Sequence, residues 1–314
     1  MKLDIKEAKE ALLRGDVVAI PTETVYGLGG WIQSPTGIQK IFSTKERPFF
    51  DPLIVHVDSI DKAKRLSSEW TEIHQILAKT CWPGPLTLIA KKSDDIDSYI
   101  TSGLDSVGIR CPNHPLTLEL LSQIPGGVAA PSANKFGKTS PTRFEHVETE
   151  FEGKVGILDG GPSEIGIEST VAGIENGEVK IYRPGFYTAN KLIQILKDHN
   201  LDVKVTYAQS PVAPGQLKHH YMPNIPLVII PAEKKWEEVR SEVEVSLKKS
   251  FSSPVRWAQP NDPLMASREL YEKMRSFESA GADIILCVQN KEATNEEWKG
   301  IWNRLDKAKT LSLV

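Results

Sequence analysis

Residues 130–142 read APSANKFGKTSPT, and the fold depends on what this stretch is. Gly137, Lys138 and Thr139 supply the ending of a Walker A motif, but Ser132 stands where the first glycine of that motif belongs. The stretch is therefore a damaged phosphate loop, a chance loop, or a different way of holding a nucleotide. Its surroundings have to decide between these.

Just before it, GVAA reads as a short strand, and HPLTLELLSQI before that as a helix closed by Pro125-Gly126-Gly127. Further upstream, Ile5, Ala8, Leu12 and Leu13 share one helical face, and Gly15 can end that helix in the left-handed conformation. VVAI, PLIVHV, PLTLIAKK and SVGIR read as strands, and TGIQKIFSTK and residues 71–80 as helices. Downstream, VGILDGG, STVAGI and EVKIYR add strands, and TANKLIQILKDHN a capped helix. Strands outnumber the helices interleaved with them, which predicts an α/β fold built on an open twisted sheet of mixed strand direction, over residues 1–204. Residues 205–225 have the Pro-rich, polar, aperiodic composition of a linker. Over residues 226–314, strand and helix alternate through PLVII, PVRWA and DIILCV, predicting a small parallel, Rossmann-like domain. It has no GxGxxG dinucleotide fingerprint.

At 314 residues, two domains are the ordinary expectation. A net charge of −3 gives no global attraction to nucleic acid or anionic lipid, so any anion site must be local. Cys81, Cys111 and Cys287 lie far apart with no CxxC or Cys/His spacing, which predicts free thiols and no structural zinc. No apolar run is long enough to span a bilayer, and the expected location is the cytoplasm.

Four clusters could carry chemistry. In PTETVYGLGG, Thr22 and Thr24 offer hydroxyls beside glycines, although such a run is more often a tight turn. In STKERPFFDPLIVHV, Lys45 and Arg47 sit at a helix exit bounded by Pro48, where two cations can hold phosphate or carboxylate. His56 in the same stretch alternates with Ile54. Arg110 ends the strand SVGIR, and a charge there needs a partner or an opening. The fourth cluster is the opening loop itself, with Ser132, Asn134, Thr139 and Ser140. Ser169 in GIESTVAG and Arg183 in IYRPG belong with these.

In this order, PTETVYGLG, KERPFFDPL, PSANKFGKTSPT, ESTV and the linker text APGQLKHHYMP resemble the YrdC-type threonylcarbamoyl-adenylate synthase family, in its long two-domain form. The resemblance runs from about Ile5 to the last helix. It implies a nucleotidyltransferase that makes threonylcarbamoyl-AMP and pyrophosphate from L-threonine, bicarbonate (or CO₂) and ATP with Mg²⁺. The product feeds the threonylcarbamoyl modification at position 37 of tRNAs reading ANN codons, by hand-off to the tRNA threonylcarbamoyl transferase machinery. By this matching, Lys45, Arg47, Ser132 and Asn134 form the catalytic set. Arg47, Asp51, Ser106, Ser132, Ser140 and Arg183 would surround ATP, and Mg²⁺ would be held through its phosphates. Thr24, His56, Arg110, Ala130 and Ser169 would surround threonine.

Two positions depart from the family pattern. Asp51 stands where Asn is usual, and Ala130 where a hydroxyl residue often precedes Pro-Ser-Ala-Asn. The opening stretch then reads as a loop whose Ser132, Asn134 and Ser140 side chains do the holding, with Lys138-Thr139 incidental. Pro141 also follows too soon for a helix to start at Lys138-Thr139 as a P-loop requires. The linker would place Tyr221 over the first domain as a lid that excludes water.

Two rival readings are weaker. A carbamoyl-phosphate-dependent enzyme with a YrdC-like module would bring zinc-finger segments with CxxC pairs, which this chain lacks. An RNA-binding module of the same fold fits poorly with the net acidity and the absence of interleaved aromatic and basic residues.

Overall fold

The computed structural model describes residues 1–49, 51–208, 220–290 and 293–314. A twelve-stranded mixed sheet occupies the N-terminal part and a four-stranded sheet the C-terminal part. The large sheet runs, across its middle, through Val18–Ile20, Gly27–Trp31, Val128–Ala129, Ile54–His56, Ser106–Arg110, Leu86–Lys92, Thr170–Glu175 and Glu178–Arg183. Ile54–His56 pairs in parallel with Ser106–Arg110, so His56 lies directly beside Arg110. Leu86–Lys92 pairs antiparallel with Ser106–Arg110 and parallel with Thr170–Glu175. The mixed directions are those expected.

The first helix, Ile5–Leu13, starts at an Asp4/Glu7 capping box, and Gly15 follows its end at φ +83°. Helix Pro35–Lys45 begins with Ser34 as N-cap and proline in its first turn. It stops at Glu46, a left-handed residue. That stop turns the chain into the Arg47-Pro48 loop.

PTETVYGLGG is not the tight turn expected. Gly27–Trp31 is a strand whose glycines make room for neighbours. A Cβ on Gly30 would lie 2.9 Å from the Gly37 carbonyl oxygen and from Ile41 Cδ1, so only glycine lets helix Pro35–Lys45 pack this closely on the strand.

In the C-terminal part, Pro254–Trp257, Ile284–Val288, Leu227–Ile230 and Leu311–Ser312 lie side by side and parallel. Helices Trp236–Leu247, Pro263–Ser279 and Lys299–Ala308 alternate with them, as expected, and the last short strand is an addition. Val205–Tyr207, inside the stretch read as linker, pairs in parallel with Val179–Ile181 and extends the large sheet. Only three residues long, it carries too little pattern to stand out from linker text. Residues 209–219 of that stretch lie outside the described residues. All three cysteines are free and buried. Among the described residues, no helix is long and apolar enough to cross a membrane.

Candidate active site

Strand ends and loops of the large sheet converge on one enclosed cavity. Thr24, Arg47, His56, Arg110, Ala130, Ser132, Ser169, Arg183 and Tyr221 all line it, together with Thr22, Glu168 and His220. The cavity measures about 50 Å³, space for little more than one or two waters. Tyr221 closes it: the side chain is 1% exposed, and its backbone sits at φ +64°, uncommon for a residue with a Cβ. The segment is tied down on both sides. Thr139 Oγ1 donates to the Tyr221 carbonyl, Met222 N–H donates to the Gly137 carbonyl, and His220 N–H donates to the Lys307 carbonyl.

Each arginine at the cavity is held by the chain itself. Arg47 Nη2 lies 2.9 Å from the Asp51 carboxylate and also donates to the Asp51 and Pro52 carbonyls. The aspartate that replaces the usual asparagine is thus a counter-ion for Arg47. Arg110 meets the Glu23 carboxylate at 2.7 Å, the Thr24 hydroxyl at 2.9 Å and the Gly84 carbonyl at 3.2 Å. Arg183 donates to the Ser169 carbonyl and hydroxyl, each at 3.0 Å. Side chains held this way need little reorganisation when an anion arrives. Burial, then the neighbouring Arg110, push His56 down to about 3. It is neutral near pH 7 and offers a hydrogen bond rather than a charge.

Four expected site residues stand one layer behind the wall. Lys45 is buried, and its ammonium donates to the Ser132 carbonyl at 2.5 Å and to the Asn134 carbonyl. Asn134 turns its amide onto its own loop, donating to the Lys135 and Lys138 carbonyls. Asp51 serves Arg47. Ser140 donates its hydroxyl to Glu168 at 2.6 Å. Ser106 is apart from all of these, at the far end of the strand that carries Arg110. It lines a small neighbouring crevice that shares Pro52 and Ile54 with the cavity. The loop is built unlike a Walker cradle: the next helix after it is Phe144–Glu150, and the N–H groups of Ala133, Lys135, Phe136 and Lys138 already donate to Tyr26, Glu150, Lys45 and Lys135.

Sequence reading missed Glu23, Glu168, Tyr271 and Arg304. Glu168 accepts hydrogen bonds from Ser140, from Tyr271 Oη at 3.0 Å and from Arg304 Nε at 3.0 Å. Burial alone would raise its carboxyl. Arg304, Arg183 and the Ser140 bond outweigh that and bring it down to about 2. One signal was available: Ile301, Arg304, Leu305 and Ala308 are the buried face of helix Lys299–Ala308, and an arginine in that apolar register demands a buried partner.

A mixed α/β sheet whose loops gather buried cations and hydroxyls around one cavity is a site fit for a small anionic molecule. Residues 10–185 match the family model described as "Telomere recombination", and residues 187–310 the model "Threonylcarbamoyl-AMP synthase, C-terminal domain". The chain belongs to the threonylcarbamoyl-AMP synthase family, in its long two-domain form, and is an enzyme of the nucleotidyltransferase type. The threonylcarbamoyl-AMP synthase of Pyrococcus abyssi is 34% identical over 99% of this chain and 95% of its own. The Bacillus subtilis enzyme of the same name is 40% identical over 72% of this chain and 66% of its own. The crystal structure of P. abyssi Sua5 complexed with L-threonine superposes with a TM-score of 0.83 at 30% identity, covering 99% of this chain and 96% of that one.

Proposed function

We propose that the chain joins L-threonine, bicarbonate (or CO₂) and ATP into threonylcarbamoyl-AMP at the cavity closed by Tyr221, releasing pyrophosphate, and water when bicarbonate is the carbon source. The threonine amine takes up the carboxyl group to form a carbamate. A carbamate oxygen then attacks the α-phosphorus, and the bond to the pyrophosphate oxygen breaks. Charge grows on the leaving pyrophosphate, so cations and hydrogen-bond donors already in place supply much of the rate.

Arg110, His56, Thr24, Ser169 and the Ala130 backbone form the threonine side, with the guanidinium taking the carboxylate. Rejection of valine rests on the hydroxyl and backbone groups, since an unpaired buried polar group costs about 1–3 kcal/mol. Arg47, Arg183 and Ser132 form the ATP side, backed by Lys45, Asn134, Asp51 and Ser140, and the crevice at Ser106 would take one end of the extended nucleotide. Among the described residues no group of three His, Cys, Asp or Glu could hold a metal ion, and Asp51 and Glu168 are committed to arginines. Mg²⁺ would arrive with the ATP phosphates. The product would pass to the tRNA-modifying transferase acting at position 37.

The observation that carries this reading is a pair of buried polar atoms without hydrogen-bond partners on residues that line this cavity: Tyr221 Oη and His56 Nδ1. Such atoms are rare in native interiors and a polar ligand accounts for them. The cavity as it stands is too small for the substrates, so the Tyr221 segment must lift to admit them and close afterwards. Pyrophosphate release from ATP tests the reading. It should require both threonine and bicarbonate, and release indifferent to either would overturn it, as an RNA-binding module would.

A further inference from the structure

Glu168 places a carboxylate on the wall of a cavity that has to receive a polyanion. Such a charge repels ATP unless something neutralises it. Arg183 on the same wall supplies part of that, and the hydrogen-bonded counter-ion comes from the other end of the chain. Arg304, 0% exposed on helix Lys299–Ala308, donates through Nε to the Glu168 carboxylate at 3.0 Å and through Nη2 to the Glu168 carbonyl at 3.1 Å. Tyr271, buried on helix Pro263–Ser279, donates its hydroxyl to the same carboxylate. One turn further along that helix, Arg275 Nη2 reaches the Thr139 carbonyl and meets Glu150 at 2.9 Å, gripping the loop that carries Ser132 and Ser140. Arg304 also lies over the Tyr221 ring, its guanidinium carbon 5.6 Å from the ring centroid. Arg304 and Tyr271 join the C-terminal part to the cavity wall directly, and Arg275 joins it to the loop behind that wall.

We propose that Arg304 and Tyr271 are positioning residues of the reaction, acting through Glu168, so that the C-terminal part completes the ATP side of the active site. Arg304 cancels the Glu168 charge. With Tyr271 it also fixes the carboxylate where it accepts the Ser140 hydrogen bond, which sets the direction of the Ser140 hydroxyl. This inference deepens the ATP reading above and rests on it.

Three full-length variants test it, with folding followed by circular dichroism and kinetics by pyrophosphate release. Tyr271→Phe keeps the ring and deletes one bond to a charged group, so the KM for ATP should rise about threefold to tenfold. Arg304→Gln leaves the carboxylate without its cation, and the KM for ATP should rise on the order of tenfold or more. The KM for threonine should stay within about twofold in both, since its contacts are untouched. Arg304→Lys restores the charge without the fork and should bring the ATP value back to within about threefold of the unaltered chain. A merely structural role predicts something else: kcat falling with the folded fraction while both KM values hold. That outcome would overturn the inference, as would Arg304→Lys proving as damaging to ATP as Arg304→Gln. If Arg304→Gln does not fold, Tyr271→Phe decides alone. Threonine- and bicarbonate-dependent release by the unaltered chain is measured first. Its absence overturns both readings, whereas its presence with an unmoved ATP KM in the variants overturns this one only.

Discussion

Lys45 separates two accounts of the catalytic set. Its sequence position suggests a cation facing phosphate, yet its ammonium points into the 132–134 loop and satisfies two carbonyls there. The backbone adds a third link, from Phe136 N–H to the Lys45 carbonyl at 2.8 Å. Lys45→Met keeps the buried stem and deletes the ammonium. Two hydrogen bonds from a charged donor contribute about 1.5–3 kcal/mol each, and no longer burying an ammonium returns part of that. The burial is complete enough that desolvation pushes the Lys45 amine well below its usual range, with Arg47 adding to the effect. A net loss of about 2–4 kcal/mol follows, seen as a fall of roughly 3–6 °C in melting temperature for a chain of this length. Because the loop carries Ser132, turnover should drop as well, with the KM values for ATP and threonine both rising. The assay pairs calorimetric melting with pyrophosphate release at varied substrate. A Lys45→Met protein that melts within about 1 °C of the unaltered chain and loses affinity for ATP alone would refute the staple and restore a phosphate-facing lysine.

Other consequences are simpler to state. Arg110→Ala should raise the threonine KM by about tenfold to a hundredfold with a smaller effect on ATP, and initial rates at saturating ATP read this directly. Tyr221→Ala should increase ATP breakdown that yields no intact threonylcarbamoyl-AMP, and the ratio of product to pyrophosphate measures it. Gly30→Ala brings a methyl against the Gly37 carbonyl and should cost about 1–3 kcal/mol in chemical denaturation. His56, His146 and His220 are each pushed down to about 3, chiefly by burial. Folded, they stay neutral while the unfolded chain takes up protons below about pH 6.5, so stability is full above that value and falls as pH drops toward 3. Glu168, held down at about 2, adds loss in the same direction below its unfolded value of 4.5. Acid melting with proton uptake on unfolding checks the sign.

How far the sequence could be read depended on how local each cause was. Helix Ile5–Leu13 was legible because its cap, its apolar face and Gly15 lie within a dozen residues. The parallel C-terminal sheet followed from the alternation of strand and helix. Gly27–Trp31 was not legible as a strand, because its glycines answer to a helix packed on them from elsewhere in the chain. Nor was the three-residue strand Val205–Tyr207, which owes its form to the partner strand Glu178–Arg183.

Most cavity residues carried motif signals, but their roles divided in three dimensions. Asp51 became the counter-ion of Arg47, and Ser106 fell into the adjoining crevice. The order of residues along the chain determined the family, the element types and the loops that bear polar groups, since these rest on neighbours a few positions apart. Only the tertiary structure decided which charge meets which: Arg304 with Glu168 across 136 positions, Arg110 with Glu23, and Lys45 with the Ser132 and Asn134 carbonyls. A buried charge must find its partner in space, and local sequence holds no record of that distance.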